Sequence, residues 1–338
     1  MLTFFKSTGI KSCALIKCYS QRAGVFKMSS NCNSHTILPN RRVLAIQSHV
    51  VHGYVGNKSA TFPLQVLGFD VDAINSVHFS NHTGYKHVKG QVLSDKELND
   101  VFSGLQQNGL LSTYSHLLTG YIGKDSFLTE VGSIVKAIRE VNPNFVYVCD
   151  PVLGDNGHLY VPESLIPIYQ DYILPLSDIC TPNQFEAELL TGIKINSDAD
   201  AWKATEWLHE KGVKTVVISS TNFAKNSELI GFLSQKNGNA KSRHTIFIPN
   251  IGSDIVFTGV GDLFAALFLA HSTTKPNLSE ALEYTVATLQ AVLRNTLKAL
   301  PSDLGGKKPT AQQRELKLIQ SKTDIENPTV SIRANKVQ

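Results

Sequence analysis

Phe257-Thr-Gly-Val-Gly-Asp262, continued by Leu263-Phe-Ala-Ala-Leu-Phe-Leu-Ala270, decides how this chain reads. The closely spaced glycines and the apolar run behind them predict a turn that opens a buried helix. The first N–H groups of such a helix lack intrahelical partners, and its dipole adds positive potential at that end. A phosphate group sits well against it. Asp262 is out of place there, because a bound polyphosphate would repel its carboxylate. Two roles stay open at this point: a helix cap, or a base that takes a proton from an attacking hydroxyl.

Outward from this turn, apolar runs alternate with helical patterns. Strands are predicted over residues 43–47, 69–75, 115–120, 145–150, 178–180 and 215–219, and a hairpin over 229–233 and 245–248. Helices are predicted over 58–67, 94–107, 125–140, 163–173, 184–190, 198–211, 278–300 and 311–321. The helix at Ser94 opens with a capping box completed by Glu97. Residues 76–90 read as a polar, histidine-rich loop. Continuous apolar strands separated by helices imply an α/β fold with a mostly parallel central sheet, covered by helices on both faces. Chemistry then belongs at the carboxyl ends of the strands. Ser48, Thr119, Tyr121, Asp150, Thr181 and Ser219 each stand at or just past the end of a strand run and should line one rim.

The chain has 338 residues, 42% hydrophobic and 18% charged, which suits a soluble globular enzyme. A net charge of +4 is too modest and dispersed for a nucleic-acid surface. No apolar run approaches the roughly 18 residues a membrane span needs. The five cysteines (Cys13, Cys18, Cys32, Cys149 and Cys180) form no C-x-x-C pair and no disulfide framework, which fits a reducing compartment and a cytoplasmic location. Residues 1–41 form a separate leader, with residues 42–338 as one domain. Lys6, Lys11, Lys17, Arg22 and Lys27 precede the first acid, Asp70. Either the leader targets mitochondria, or it is an unstructured extension with Met28 as an alternative start.

Neither G-x-x-x-x-G-K-[ST] nor G-x-G-x-x-G after the first strand occurs, which argues against a P-loop or Rossmann enzyme. Asp150-Pro-Val-Leu-Gly-Asp155 puts two acids past a strand, suited to a divalent cation at a phosphoryl-transfer site or to closing turns. Thr181-Pro-Asn-Gln-Phe-Glu186 opens a helix, with Glu186 either closing a cap or reaching a metal-bound water. His49, His52, His78, His82 and His87 match no closed zinc motif and read as loop and pocket residues.

Ile46-Gln-Ser-His-Val50, Gly53-Tyr-Val-Gly-Asn57, Phe79-Ser-Asn-His-Thr-Gly-Tyr85, Leu118-Thr-Gly-Tyr121, Val148 to Asp155, Thr181 to Glu188 and Gly261 to Ala266 together resemble the eukaryotic pyridoxal kinase family. That family belongs to the ribokinase-like superfamily, and the resemblance runs from about Arg42 to the C-terminus. It implies ATP-dependent phosphorylation of the 5′-hydroxymethyl group of pyridoxal, pyridoxine and pyridoxamine. Ser48 and Thr83 would meet the polar groups of the vitamer ring, with Val55, Phe79, His82 and Tyr121 lining its pocket. Asp150, Thr181 and Ser219 would hold a monovalent cation, K⁺ or Na⁺. Asp155 and Glu186 would serve Mg²⁺ or another divalent ion such as Zn²⁺. Asn183, Gln184, Phe185 and Glu186 would face ATP, as would Asp150, Tyr160, Ser219 and Ser220. Ser253, Asp254, Ile255 and Thr258 would flank the nucleotide. The Gly259, Val260, Gly261 and Asp262 amides would receive the phosphoryl group, and Asp262 would be the base. The assembly implied is a homodimer.

Two departures stand out. Many relatives carry threonine where this chain has Val260, with Thr258 a possible substitute. The loop at 155–160 is shorter than in vertebrate relatives. They motivate one alternative, a kinase fold that binds pyridoxal without turnover. A sister activity, hydroxymethylpyrimidine kinase, is another; the Ser48 and 79–83 segments favour pyridoxal.

Overall fold

The computed structural model describes residues 41–223, 228–238, 240–252 and 255–337. The leader expected over residues 1–41 lies outside them apart from Arg41.

Strand β1 (Arg42–Val50) leads to helix α1 (Asn57–Val66), then β2 (Asp70–Phe79), β3 (Gly90–Val92) and α2 (Asp95–Gln107). Next come β4 (His116–Thr119), α3 (Asp125–Val141), β5 (Val146–Cys149) and a small hairpin, β6 (Gly154–Asp155) and β7 (His158–Leu159). After α4 (Leu165–Ile168) follow β8 (Ile179–Cys180), α5 (Gln184–Thr191), α6 (Asp198–Glu210) and β9 (Thr215–Thr221). The chain closes with β10 (Glu228–Asn237), β11 (Ala240–Pro249), α7 (Val260–Thr274), α8 (Leu278–Lys298), α9 (Lys322–Glu326) and β12 (Ala334–Val337).

The ten-stranded sheet has the order β12-β11-β10-β9-β8-β5-β4-β1-β2-β3. From β2 to β9 the neighbours run parallel; β3, β10, β11 and β12 are antiparallel additions at the two edges. β1 sits between β2 and β4, so the chain leaves it to one side and returns on the other. That reversal opens a crevice at the carboxyl ends of the strands.

Side chains alternate between faces along each strand. Leu44, Leu117 and Tyr147 pack with α2, α3, α5 and α6 on one face. Val43, Leu118 and Val148 pack with α1, α7 and α8 on the other. α7 is buried along Leu263 to His271, because α1, α8 and the sheet enclose it. The expected α/β fold with both faces covered is the fold observed, and the Ser94 capping box forms as read.

The structure corrects several predicted elements. The histidine-rich segment is not all loop, since β2 continues through Phe79 and pairs with β3. The helix expected over 163–173 is one short turn that contains Pro167, followed by a wider turn over Tyr169–Ile173. The helix expected over 311–321 does not form. A turn closes from Arg314 N–H to the Thr310 carbonyl at 3.1 Å; Glu315 then turns into a buried polar cluster, and Leu316 and Leu318 insert into the core. Among the described residues, no helix is long and apolar enough to cross a membrane.

Candidate active site

Gly259 is the residue that begins α7, and its backbone is left-handed, with φ +83°. A Cβ there would lie 2.1 Å from the Tyr54 carbonyl oxygen, so glycine is required for both conformation and space. The Ser59 hydroxyl donates to the Gly259 carbonyl at 3.0 Å, pinning the turn to α1. No side chain caps α7, and Asp262 is its third residue. Asp262 is therefore not the cap. Burial raises the Asp262 pKa, opposed by the Gly56 backbone N–H, which holds the ionised form.

Asp150 follows β5 directly, on the same rim. Its Oδ1 accepts from the Thr181 hydroxyl at 3.3 Å, while Oδ2 is buried with no hydrogen-bond partner. That oxygen lies 3.9 Å from where a Cβ on Gly261 would stand, so it faces the first turn of α7. Burial first, then the charges of Glu186 and Asp262, push the Asp150 carboxyl well above its usual range.

Glu186 has both carboxylate oxygens engaged. Oε2 accepts the Asn183 N–H at 2.9 Å and Oε1 the Leu153 N–H at 3.1 Å, while the Asn183 side chain accepts the Glu186 N–H at 2.9 Å. The capping box of α5 thus also clasps the loop that carries Asp155. Burial moves Glu186 up to about 8. Such a group binds more protons folded than unfolded. Its stabilising contribution is complete below about pH 4.5 and is lost as pH rises through about 8. The melting temperature of the ligand-free protein should therefore fall between pH 6 and pH 8, and Glu186→Gln should flatten that slope. An unchanged slope in the variant would assign the titration elsewhere.

Asp150, Asp155, Thr181, Asn183, Glu186 and Ser219 line one end of a cavity of about 700 Å³, together with Tyr160 from the loop after the β6–β7 hairpin. Ser48, Val55, Phe79, His82, Thr83 and Tyr121 line the same cavity, as do Thr258 to Asp262. Gly56 at φ +52° lies against Ser48, where a Cβ would come 2.3 Å from the hydroxyl oxygen. The Ser76 hydroxyl donates to the Tyr121 carbonyl at 2.7 Å and fixes that turn.

Four expected residues do not reach the cavity lining. Gln184 bonds Glu188, the Ile195 carbonyl and the Asn222 N–H, on the far side of the α5 start. Phe185 packs beneath Gly154. Ser220 stands with Ser219 at a bulge of β9 opposite Gly231 but is not part of the lining, and the Ile255 N–H donates to the Gly252 carbonyl. Ser253 and Asp254 lie outside the described residues. The Thr258 hydroxyl lines the cavity beside the Thr83 segment, 3.9 Å from where a Cβ on Gly84 would stand.

Sequence reasoning missed Arg314, which lines the cavity and donates to the Val256 carbonyl. It also missed Glu315, which joins His82 in a buried pair at 3.3 Å. Neither carries a local motif, because their partners are distant in the chain.

The oxygen-rich end of the cavity suits a hard cation. The orphaned Asp150 oxygen is the direct sign, since a buried unpaired carboxylate oxygen is costly unless something positive meets it. Among the described residues no group of three or more His, Cys, Asp and Glu is arranged to hold a metal alone. A cation there would be shared with a ligand's own oxygens, the usual habit of Mg²⁺.

An acid in the first turn of a glycine-opened helix, on the carboxyl rim of a mostly parallel sheet, is the arrangement that the resemblance to ribokinase-like kinases implies. The phosphomethylpyrimidine kinase family model matches residues 114–305. Pyridoxal kinase of Arabidopsis thaliana is 51% identical over 296 residues, covering 87% of this chain and 94% of that protein. Pyridoxal kinase of Homo sapiens is 48% identical over 307 residues, covering 87% and 97%. The solved structure of pyridoxal kinase from Leishmania donovani, in complex with ADP and pyridoxamine, superposes with a TM-score of 0.82 at 37% identity, covering 88% of this chain and all of that one. The chain belongs to the pyridoxal kinase family.

Proposed function

We propose that the protein transfers the γ-phosphoryl group of ATP to the 5′-hydroxymethyl oxygen of pyridoxal, pyridoxine and pyridoxamine. The observation that carries this reading is the place of Asp262. It lies in the first turn of α7, in one cavity lined by polar and aromatic side chains and by several acids. The 37%-identical Leishmania enzyme is described in complex with ADP and either pyridoxamine or pyridoxine, which supports both ends of the assignment.

Ser48 and Thr83 orient the ring through its polar substituents, while Val55, Phe79, His82 and Tyr121 exclude water around it. ATP lies along Thr181, Asn183 and Ser219, under Tyr160. Asp262 accepts the proton of the hydroxymethyl group as its oxygen bonds the γ-phosphorus and the bond to the β-phosphate bridging oxygen breaks, leaving ADP. Because burial raises its pKa, Asp262 is a stronger base than a surface carboxylate. The N–H groups of the glycine turn face the phosphoryl oxygens where charge accumulates. They belong to the backbone, so Val260 in place of threonine leaves them intact.

Asp155 and Glu186 are the residues that would hold Mg²⁺; Asp150, Thr181 and Ser219 would hold the monovalent cation. The divalent ion, when bound, neutralises phosphate charge. The all-oxygen donor set fits Mg²⁺ better than Zn²⁺. A homodimer of cytoplasmic location, with residues 42–338 as the catalytic domain, completes the reading. Incubation with Mg-ATP and pyridoxal tests it: pyridoxal 5′-phosphate and ADP should form in equal amounts, and binding without product would favour a carrier.

A further inference from the structure

Glu315 lies in the turn that replaces the expected C-terminal helix, 261 residues from Tyr54 and 230 from Tyr85. Its carboxylate is buried. Oε2 accepts the Tyr54 N–H at 2.9 Å, Oε1 accepts the Tyr85 hydroxyl at 2.9 Å, and Oε1 also lies 3.3 Å from His82 Nε2. Gly53, at φ +92°, makes room for it, since a Cβ there would stand 2.1 Å from Oε1. Burial pushes the carboxyl up, but the bonds from His82, the Tyr54 N–H and Tyr85 outweigh it and bring it below its usual range. This is a built pocket for an anion of the chain itself.

The other ring nitrogen of His82 is also in use. Nδ1 accepts the Gly84 N–H at 3.1 Å, so it carries no proton, and the Nε2 proton is directed at Glu315. Tyr85 stands edgewise to the ring at 4.9 Å. With both nitrogens bonded inside the protein, the ring offers the cavity its face and carbon edge, not a polar contact. Glu315 decides where that face points. Its neighbour Arg314 donates to the Val256 carbonyl, so the same turn ties the 82–85 loop to the loop before Gly259.

We propose that Glu315 is a positioning residue for the vitamer end of the site: it fixes the plane of His82 and thereby sets affinity for the B6 vitamer, leaving the nucleotide end untouched. This rests on the pyridoxal kinase reading above. A purely structural Glu315 would instead lower stability while moving both substrates' constants together or not at all.

The test uses the full chain and the variants Glu315→Gln, Tyr85→Phe, His82→Ala and Glu315→Gln/His82→Ala. Pyridoxal Kd is read from its absorbance without nucleotide, KM is measured separately for pyridoxal and ATP, and melting temperature is followed throughout. Glu315→Gln should raise pyridoxal Kd and KM about tenfold, the scale of one charged hydrogen bond. It should move the ATP KM less than about twofold. Added to His82→Ala it should cost less than about twofold more, because both act through one ring. Tyr85→Phe, which spares the His82 contact, should cost less than Glu315→Gln. Should Glu315→Gln melt below assay temperature, Glu315→Asp, which withdraws the carboxylate but keeps its charge, must show the same split. Equal shifts in both KM values, independent effects of the two substitutions, or an unchanged pyridoxal Kd would overturn the proposal. Wild-type protein that does not bind pyridoxal at all would instead remove the kinase reading on which it stands.

Discussion

Asp262→Asn should lower turnover of pyridoxal by about 10²- to 10⁴-fold, the usual contribution of a general base, while pyridoxal still binds within a few-fold of wild type. The amide keeps the shape of the carboxylate and an oxygen able to accept the Gly56 N–H, so the turn and the vitamer pocket have no reason to rearrange. It cannot accept the hydroxymethyl proton. The measurement is kcat for pyridoxal 5′-phosphate formation beside the Kd for pyridoxal. Near-normal kcat would remove Asp262 from the base role and make it a source of charge only. Parallel loss of kcat and binding would mean that the substitution disturbed the pocket, and Asp262→Glu would then be the informative variant.

Gly259→Ala should damage both stability and turnover. A residue with a Cβ held at φ +83° costs about 1–3 kcal/mol, before counting a Cβ placed 2.1 Å from the Tyr54 carbonyl oxygen. One of them must move, and either movement shifts the start of α7. The N–H groups proposed to receive the phosphoryl group are set by that start. Loss of one such donor typically costs about 10²- to 10³-fold in kcat. The expected result is a melting temperature lower by several degrees and a kcat reduced by about 10²-fold. Gly261→Ala is the internal comparison: its Cβ would meet only Asp150 Oδ2, at 3.9 Å, so its fold should survive. Equal stability loss in both variants would contradict this account of the turn.

The sheet was legible because its central strands are short, continuously apolar and separated by helical patterns. α7 was legible because an apolar run with no polar face must be enclosed. The rim acids followed from strand ends. Local chemistry also survived translation into structure, as at Ser94 and Asn183, where the cap and its partner are three residues apart. The turn at 310–316 was not legible. Its composition permits a helix, and what prevents one is the buried site that Glu315 finds beside Gly53, Tyr54, His82 and Tyr85. That competition involves residues more than 200 positions apart and has no periodic signature. Gln184 and Phe185 show the converse: they share a motif with Asn183 and Glu186, but successive positions at a helix start point different ways, and Thr181, Asn183 and Glu186 are the members of the motif that line the cavity.

The family model that matches this chain is described by a pyrimidine kinase and the relatives by pyridoxal. The two substrates are similar hydroxymethyl heteroaromatics, and the vitamer end of the cavity, with Ser48, Phe79, His82 and Thr83, is what would separate them. The most direct measurement is therefore a side-by-side comparison of kcat/KM for pyridoxal and for hydroxymethylpyrimidine with Mg-ATP. The expected result is a preference for pyridoxal of at least about 10²-fold, the scale at which a site built to hydrogen-bond one ring discriminates against another. Equal rates, or a preference for the pyrimidine, would contradict it.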